Sequence, residues 1–297
     1  MTDLLDLPET TPRPSRPAAT GTNVSVMIMT YNEEANIEAC LKSVAWSDDV
    51  VVLDSFSTDR TVEIARAFGA RVFQRAYDNE AGQRSFGITG ITYRNAWVYT
   101  PDADEITPDD LRDEMLAIAA DPTRPESQFR ARYKNMFMGR WIRHASLYPT
   151  WITRMIRPDQ VHWERLVHCR CVGTGPTGEL KAHFLHYSFN NGMRAWYDKH
   201  NKYSTTEAEL SGELLASPIS WSGLASGDAN RRRRTLKEIS YRLPMRPFLR
   251  FLYMYVWRRG FLDGWQGYAY CRLLASYELM IVIKIAEKRR REQGLPV

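Results

Sequence analysis

The stretch "PDADE" (101–105) sets two carboxylates two residues apart. In extended backbone, positions i and i+2 point the same way, so Asp102 and Asp104 can offer oxygens to one hard cation. Such a cation keeps several waters and bridges to phosphate oxygens. The same letters also fit a solvated acidic turn or a helix start, because "DEITPDD" (104–110) continues in helix-start residues. A further carboxylate, Asp54, ends the apolar run "VVVLD" (50–54). It could accept a hydrogen bond from a base N–H or a ribose hydroxyl. Ser57, Thr58 and Asp59 follow it and are helix-capping types, so one of them is expected to cap a helix while Asp54 faces a ligand. In "TYNEE" (30–34), Tyr31 could stack on a flat base or simply pack at an edge.

These clusters need a frame that brings them together. "VSVMIMT" (24–30) is a near-continuous apolar run, the pattern of a strand buried on both faces. Asn32 is placed to cap the helix that follows, where Ile37, Cys40, Leu41 and Val44 recur at helical spacing. Val50–Leu53 form a second buried strand, 61–68 a helix stopped by Gly69, and Val72 with Phe73 a short third strand. A helix over about 81–89 leads to a fourth strand, "AWVYT" (96–100). Alternating strands and helices imply an α/β domain with a parallel sheet and right-handed crossovers. Ligands of such sheets bind beyond the carboxyl ends of the strands, where all three polar clusters fall.

The chain has 297 residues, 44% of them hydrophobic and 25% charged, which marks a folded protein. Its formal net charge of +5 is unevenly spread. Residues 230–297 hold 16 Lys+Arg and 5 Asp+Glu, whereas the remainder is mildly acidic. That asymmetry suggests an anionic surface as partner. Cys40, Cys169, Cys171 and Cys271 offer no second Cys pair for zinc and read as free thiols. The Pro- and Thr-rich start, residues 1–22, reads as a disordered tail and not as a signal peptide. No stretch reaches the length of an uninterrupted membrane-spanning helix.

Taken jointly, "VSVMIMTYNEEANIEACLKSV", "VVVLDSFSTDRTVEIARAFGARVF", "QRSFG" and "WVYTPDADE" resemble family 2 glycosyltransferases of the GT-A fold. "GRWIRHASLYPTWITRMIR" (139–157), "LKAHFLHYSFNNGMRAWYDKHNKYSTTEA" (180–208) and "FLRFLYMYVWRRGFLDGWQGYAYC" (248–271) resemble the lipopolysaccharide-core β-1,4-glucosyltransferase subgroup. The resemblance implies a Rossmann-like, mostly parallel sheet flanked by helices over 23–228, and a basic, amphipathic, membrane-associating helical region over 229–297. It implies that Thr30, Tyr31, Asn32 and Glu33 line a nucleotide pocket. Asp54 would contact the base of a UDP-sugar, and Gln83 and Arg84 would face the donor. Asp102 and Asp104 would hold Mg²⁺ or Mn²⁺ on the diphosphate. The implied reaction is an inverting transfer of a hexose, glucose first, to a lipid-linked or lipopolysaccharide-core saccharide. Its place would be the cytoplasmic face of a bacterial inner membrane, with no nucleic acid as partner.

The chain departs from the family pattern at several points. Phe56 and Arg60 stand where "DSGSTDGT" has glycines, and Pro101 stands where an apolar residue is usual. Proline removes a ladder donor, so the strand is expected to stop there. Relatives carry Val-His-Glu where this chain has Val167-His168-Cys169. A thiol does not replace a carboxylate base, which leaves Glu164 and His168 as candidates. His183 and His186 read as structural and as shaping the acceptor side, respectively. In the C-terminal segment, Arg246 and Arg250 share a helical face beside Phe248, Leu252 and Tyr255, the pattern of an interfacial helix. Two rival classes share parts of this pattern. A nucleotidyltransferase needs a glycine-rich triphosphate loop, which "MTYNEEANI" does not supply. The non-catalytic alternatives are a nucleotide-binding protein and a basic nucleic-acid-binding protein, the latter marked by steeply salt-dependent binding to DNA or RNA.

Overall fold

The computed structural model describes residues 21–146, 148–164, 169–216, 218–219, 221–243 and 245–297. His168 and the first twenty residues of the expected tail therefore lie outside the described residues. The chain forms two compact units, one of residues 1–136 and 148–191, the other of 137–147 and 192–297.

The first unit begins with β1 (Val24–Thr30), α1 (Ile37–Ser43), β2 (Val50–Asp54), α2 (Thr61–Ala67) and β3 (Arg71–Gln74). α3 (Glu80–Thr89), β4 (Trp97–Tyr99), β5 (Glu105–Ile106), α4 (Asp109–Ala119) and β6 (Gln128–Phe137) follow. β7 (Arg140–Trp141) falls in the second unit, and the first resumes with β8 (Trp151–Ile156), β9 (Val161–Glu164), β10 (Arg170–Gly173) and β11 (Thr177–His186). The sheet order is β3-β2-β1-β4-β8-β6-β11-β5, with β9 and β10 pairing as a separate ribbon. β1 pairs in parallel with both β2 and β4, and β2 with β3, as the alternating pattern requires. β8 runs antiparallel between β4 and β6, so the parallel sheet becomes mixed there. β4 stops at Tyr99, short of Pro101, in line with the missing ladder donor.

The apolar runs are buried because the sheet is covered on both faces. Val26, Ile28, Val52, Trp97, Tyr99, Met115 and Phe184 belong to one core cluster, and Met27, Val98 and Ile156 to another. α3 packs closely on this sheet, since a β-carbon at Gly87 would lie 2.4 Å from Met27 Sδ. Gly69 ends the second helix region with φ +77°, where glycine carries no steric cost.

The second unit contains α5 (Gly192–Ala216), α6 (Ala229–Ser240), α7 (Arg246–Leu252) and α8 (Gly264–Glu292). Ala208, Ile281 and Ile285 form its α5–α8 core. Past α7, residues 253–257 widen into a π-turn, in which Arg258 N donates to Tyr253 O at 2.8 Å. Arg246 does not serve the exposed cationic face the sequence suggested. It pairs with Glu278 at 2.6 Å and lies 4.0 Å from the Tyr241 ring centre, so its charge is compensated inside the unit. No helix among the described residues is long and apolar enough to cross a membrane.

Candidate active site

The loops after β1 and β2 are joined side chain to backbone. Thr30 Oγ1 donates to Asp54 Oδ1 at 3.0 Å, linking the ends of the two strands. Asp54 is fully buried, and its carboxylate also accepts from Ser57 N, Ser57 Oγ and Gln74 Nε2. Asn32 does not cap α1. It takes a left-handed φ of 54° and bridges the loops, its N–H donating to Ser57 Oγ and its Oδ1 accepting from Thr58 N, each at 2.8 Å. Glu33 N donates to Thr61 Oγ1, and the Glu33 carboxylate accepts from Asn36 and Asn191. None of Ser57, Thr58 and Asp59 is the cap expected of them: the N-cap of α2 is Arg60, which makes no side-chain cap bond, and Asp59 just before it accepts from Thr61 N in a local turn. Above this zipper Tyr31 and Phe56 are exposed. Phe56 has φ +59°, the conformation that the glycine of the family pattern adopts freely and a phenylalanine does not.

α3 supplies Gln83 and Arg84, both buried. Gln83 donates to Ser55 Oγ at 3.0 Å, which ties it to the loop after Asp54. Arg84 reaches the acidic cluster, with Nη2 3.4 Å from Asp102 Oδ1. Asp102 is held from its other side by Arg154 Nη2 at 2.5 Å. Burial works against the Asp102 charge, but the guanidiniums of Arg154 and Arg84 prevail and hold its carboxyl at about 2. The same Arg154 nitrogen lies 2.5 Å from Glu105 Oε1. Arg154 and Glu105 are both about 1% exposed.

Asp104 turns elsewhere. Its Oδ2 lies 3.3 Å from His186 Nε2, at the end of β11. Asp104, Glu105 and His186 each place a ligand atom within 4.8 Å of the others. Two carboxylates and an imidazole suit a divalent cation such as Mg²⁺ or Mn²⁺. Asp102 stands beside this trio, engaged by two arginines. His183 and His186, three apart on a strand, point to opposite faces. Only His186 reaches Asp104, while His183 pairs with the Tyr148 hydroxyl at 2.6 Å.

The ribbon of β9 and β10 places the remaining candidates. Trp163 lies under Arg84, 5.0 Å from guanidinium carbon to ring centre. Glu164 is exposed and pairs with His162 at 3.1 Å, two residues away on the other side of the strand from Trp163. The structure thus brings Thr30, Asn32, Glu33 and Asp54 into one loop network and Arg84, Asp102 and Asp104 into the acidic cluster. It does not bring Glu164 to either. Cys169 lies half-buried against Glu80 and Arg84, and its thiol is pushed up to about 11, first by burial and then by the Glu80 charge. Glu80, Glu105 and Arg154 were missed by sequence reasoning. Glu80 carried a legible signal, standing four residues before Arg84 at a helix start, and it bonds Arg84 Nε at 3.0 Å.

Comparison with known proteins bears on this arrangement. The family model described as "Glycosyl transferase family 2" matches residues 25–184, more than half of the chain. An uncharacterized glycosyltransferase of Rickettsia bellii (strain RML369-C) is 42% identical over 98 residues, 33% of either chain. The chain thus spans about a third of the length of that curated relative. The lipopolysaccharide core biosynthesis glycosyltransferase LpsC of Rhizobium meliloti (strain 1021) is 24% identical over 270 residues, 85% of this chain and 90% of that one. Among solved structures, the glucosyl-3-phosphoglycerate synthase of Mycobacterium tuberculosis in complex with Mn²⁺ and UDP-glucose is 26% identical, covering 44% of this chain and 49% of that one with a TM-score of 0.32.

Proposed function

The chain belongs to glycosyl transferase family 2, and on that premise we propose that it moves a hexose, glucose first, from a UDP-sugar to a lipid-linked or lipopolysaccharide-core saccharide. The observation that carries the reading is the cluster of Asp102, Asp104, Glu105, His186 and the two buried arginines just past the strand ends of a GT-A sheet. The acceptor class rests on the likeness to LpsC, a lipopolysaccharide core enzyme by name. On this reading the transfer takes place at the cytoplasmic face of a bacterial inner membrane.

Asp104 and His186, with Glu105 behind them, would hold the divalent cation; when bound there, it neutralises charge on the departing diphosphate. Arg84 and Arg154 keep Asp102 ionised and fixed beside that site. Tyr31 and Phe56 offer ring faces to the nucleobase above the loop network, and Asp54 holds the floor on which both loops stand. Gln83 orients Ser55 at the edge of the same pocket. The acceptor hydroxyl attacks the anomeric carbon opposite the leaving diphosphate, which inverts its configuration, and a carboxylate takes the proton. Glu164 and His168 are the candidates legible in the sequence. The geometry favours Glu80, because it is joined through Arg84 to Asp102 and remains half-exposed.

One panel tests the reading. UDP-, GDP- and dTDP-sugars are compared for thermal stabilisation with and without Mn²⁺. Saturation with UDP-sugar at about 100 times its Kd stabilises by roughly 2.7 kcal/mol. The Mn²⁺-dependent part disappears in Asp104→Asn and in His186→Ala. Stabilisation by GDP or dTDP alone, or none by UDP, would overturn the donor assignment. Glu80→Gln lowers kcat by about 10²-fold or more with donor affinity kept, and full activity in that variant removes Glu80 as the base.

A further inference from the structure

We propose that residues 245–265 of the second unit form the surface by which this protein seats itself on an anionic lipid bilayer. The proposal deepens the lipid-linked reading above by naming the docking surface, but it stands on observations of its own.

Met245, Phe248, Leu249, Leu252, Tyr253 and Val256 are exposed along α7 and the π-turn. Trp257 is 80% exposed, and Trp265, at the start of α8, is 61% exposed. Isolated apolar residues on a surface need no explanation, but a contiguous field of them does. Ring contacts link the segments that carry them. Phe251 stacks on Tyr255 at 5.1 Å, and Tyr268 meets both, at 5.9 and 5.7 Å. Phe261 meets Tyr255 at 6.2 Å. Phe261 and Tyr268 are themselves exposed, so this ring cluster ties the π-turn to the start of α8 within the field.

The charge around the field selects its partner. Residues 241–272 contain six arginines, of which Arg246 is neutralised by Glu278, and one acid, Asp263. Asp263 is buried and accepts from His144 N and Ala145 N at 2.8 Å, so it presents no negative charge to a partner. Arg259 and Arg272 are exposed at the border of the apolar field. Tryptophan and tyrosine with arginine suit the headgroup level of a bilayer, where rings reach the acyl boundary and guanidiniums meet phosphates. A second copy of the chain is disfavoured on this face, because pairing it with itself would bring like charges together. Nucleic acid would leave the aliphatic and tryptophan field without a partner.

The test uses the full chain and two vesicle preparations, phosphatidylcholine alone and phosphatidylcholine with phosphatidylglycerol, in sedimentation without donor or metal. The chain is expected to bind the anionic vesicles. Trp257→Ser with Trp265→Ser lowers that partition about tenfold or more. Arg259→Gln with Arg272→Gln lowers it roughly thirtyfold and removes the preference for the anionic lipid. Far-UV circular dichroism and stabilisation by UDP with Mn²⁺ stay unchanged in both variants. No binding to either vesicle, or equal binding by the tryptophan variant, would overturn the proposal. So would a dimer in solution that the same tryptophan substitutions dissolve. A chain that binds vesicles but no UDP would keep this surface and sink the UDP-sugar reading, so the two fail separately.

Discussion

Arg154 sets a single cation between two acids, one nitrogen serving both Asp102 and Glu105. Its other two nitrogens make no hydrogen bond among the described residues, and the guanidinium lies 5.4 Å from the Phe184 ring centre. Asp102 is partly exposed and has Arg84 as a second cation, whereas Glu105 is buried and has only the Arg154 charge that it shares. Glu105 yields: burial pushes its carboxyl up to about 7, Arg154 pulls against that, and the Asp102 charge adds to it. A carboxyl raised in the folded state keeps its proton after the unfolded chain has lost it. From the ordinary value of 4.5 up to about 7, the folded protein binds more protons, so stability falls as pH rises through that window and then levels off. Asp102, held at about 2, has the opposite sign; its contribution is lost only as pH falls from 3.8 through about 2. In metal-free protein, urea denaturation is expected to show a loss on the order of 1–2 kcal/mol between about pH 5 and pH 7. Glu105→Gln flattens that profile. An identical slope in the variant would mean that another group carries it.

The two polar loops act as one element because their contacts run between them. Asn32, Glu33 and Glu34 each donate a backbone N–H to a side chain of the β2–α2 loop or of α2, at 2.8 to 3.1 Å. Asn32 matters most, since it takes a left-handed backbone and also accepts from Thr58 N. Asn32→Ala removes that acceptor and leaves an alanine where asparagine is better tolerated. It should cost about 1–3 kcal/mol in urea and raise the Kd for UDP, and an unchanged Kd would show that the zipper does not shape the pocket. The sequence made the strands legible through apolar runs, and the helices through spacing and Gly69, because those signals are local. It misassigned Asn32 as a cap of α1, since a capping type also suits a bridge to residues 26 positions away. Arg154 meets Glu105 across 49 residues, and His186 reaches Asp104 from a much later strand, and no local pattern encodes either contact. Arg246 was misjudged for the same reason, because its partner Glu278 lies on a later helix.

At the scale of the whole molecule, two compact units each carry a core of their own. Units built this way can unfold in separate steps, so a perturbation confined to one should move one transition. The second unit has a sensitive point at Gly267. A β-carbon there would lie 2.1 Å from the Gly260 carbonyl oxygen and 2.8 Å from Asp263 Cβ, so α8 and the turn before it meet through backbone. Gly267→Ala forces that backbone apart and should cost about 1–3 kcal/mol. In calorimetry it is expected to lower one transition and leave the other in place. UDP with Mn²⁺ binds at the loops and acidic cluster of the first unit on the reading above. It should therefore raise the transition that Gly267→Ala spares, by mass action. If both perturbations shift one common transition, the chain unfolds as a single cooperative body, and stability gained by donor binding is shared with the helices that carry the aromatic surface.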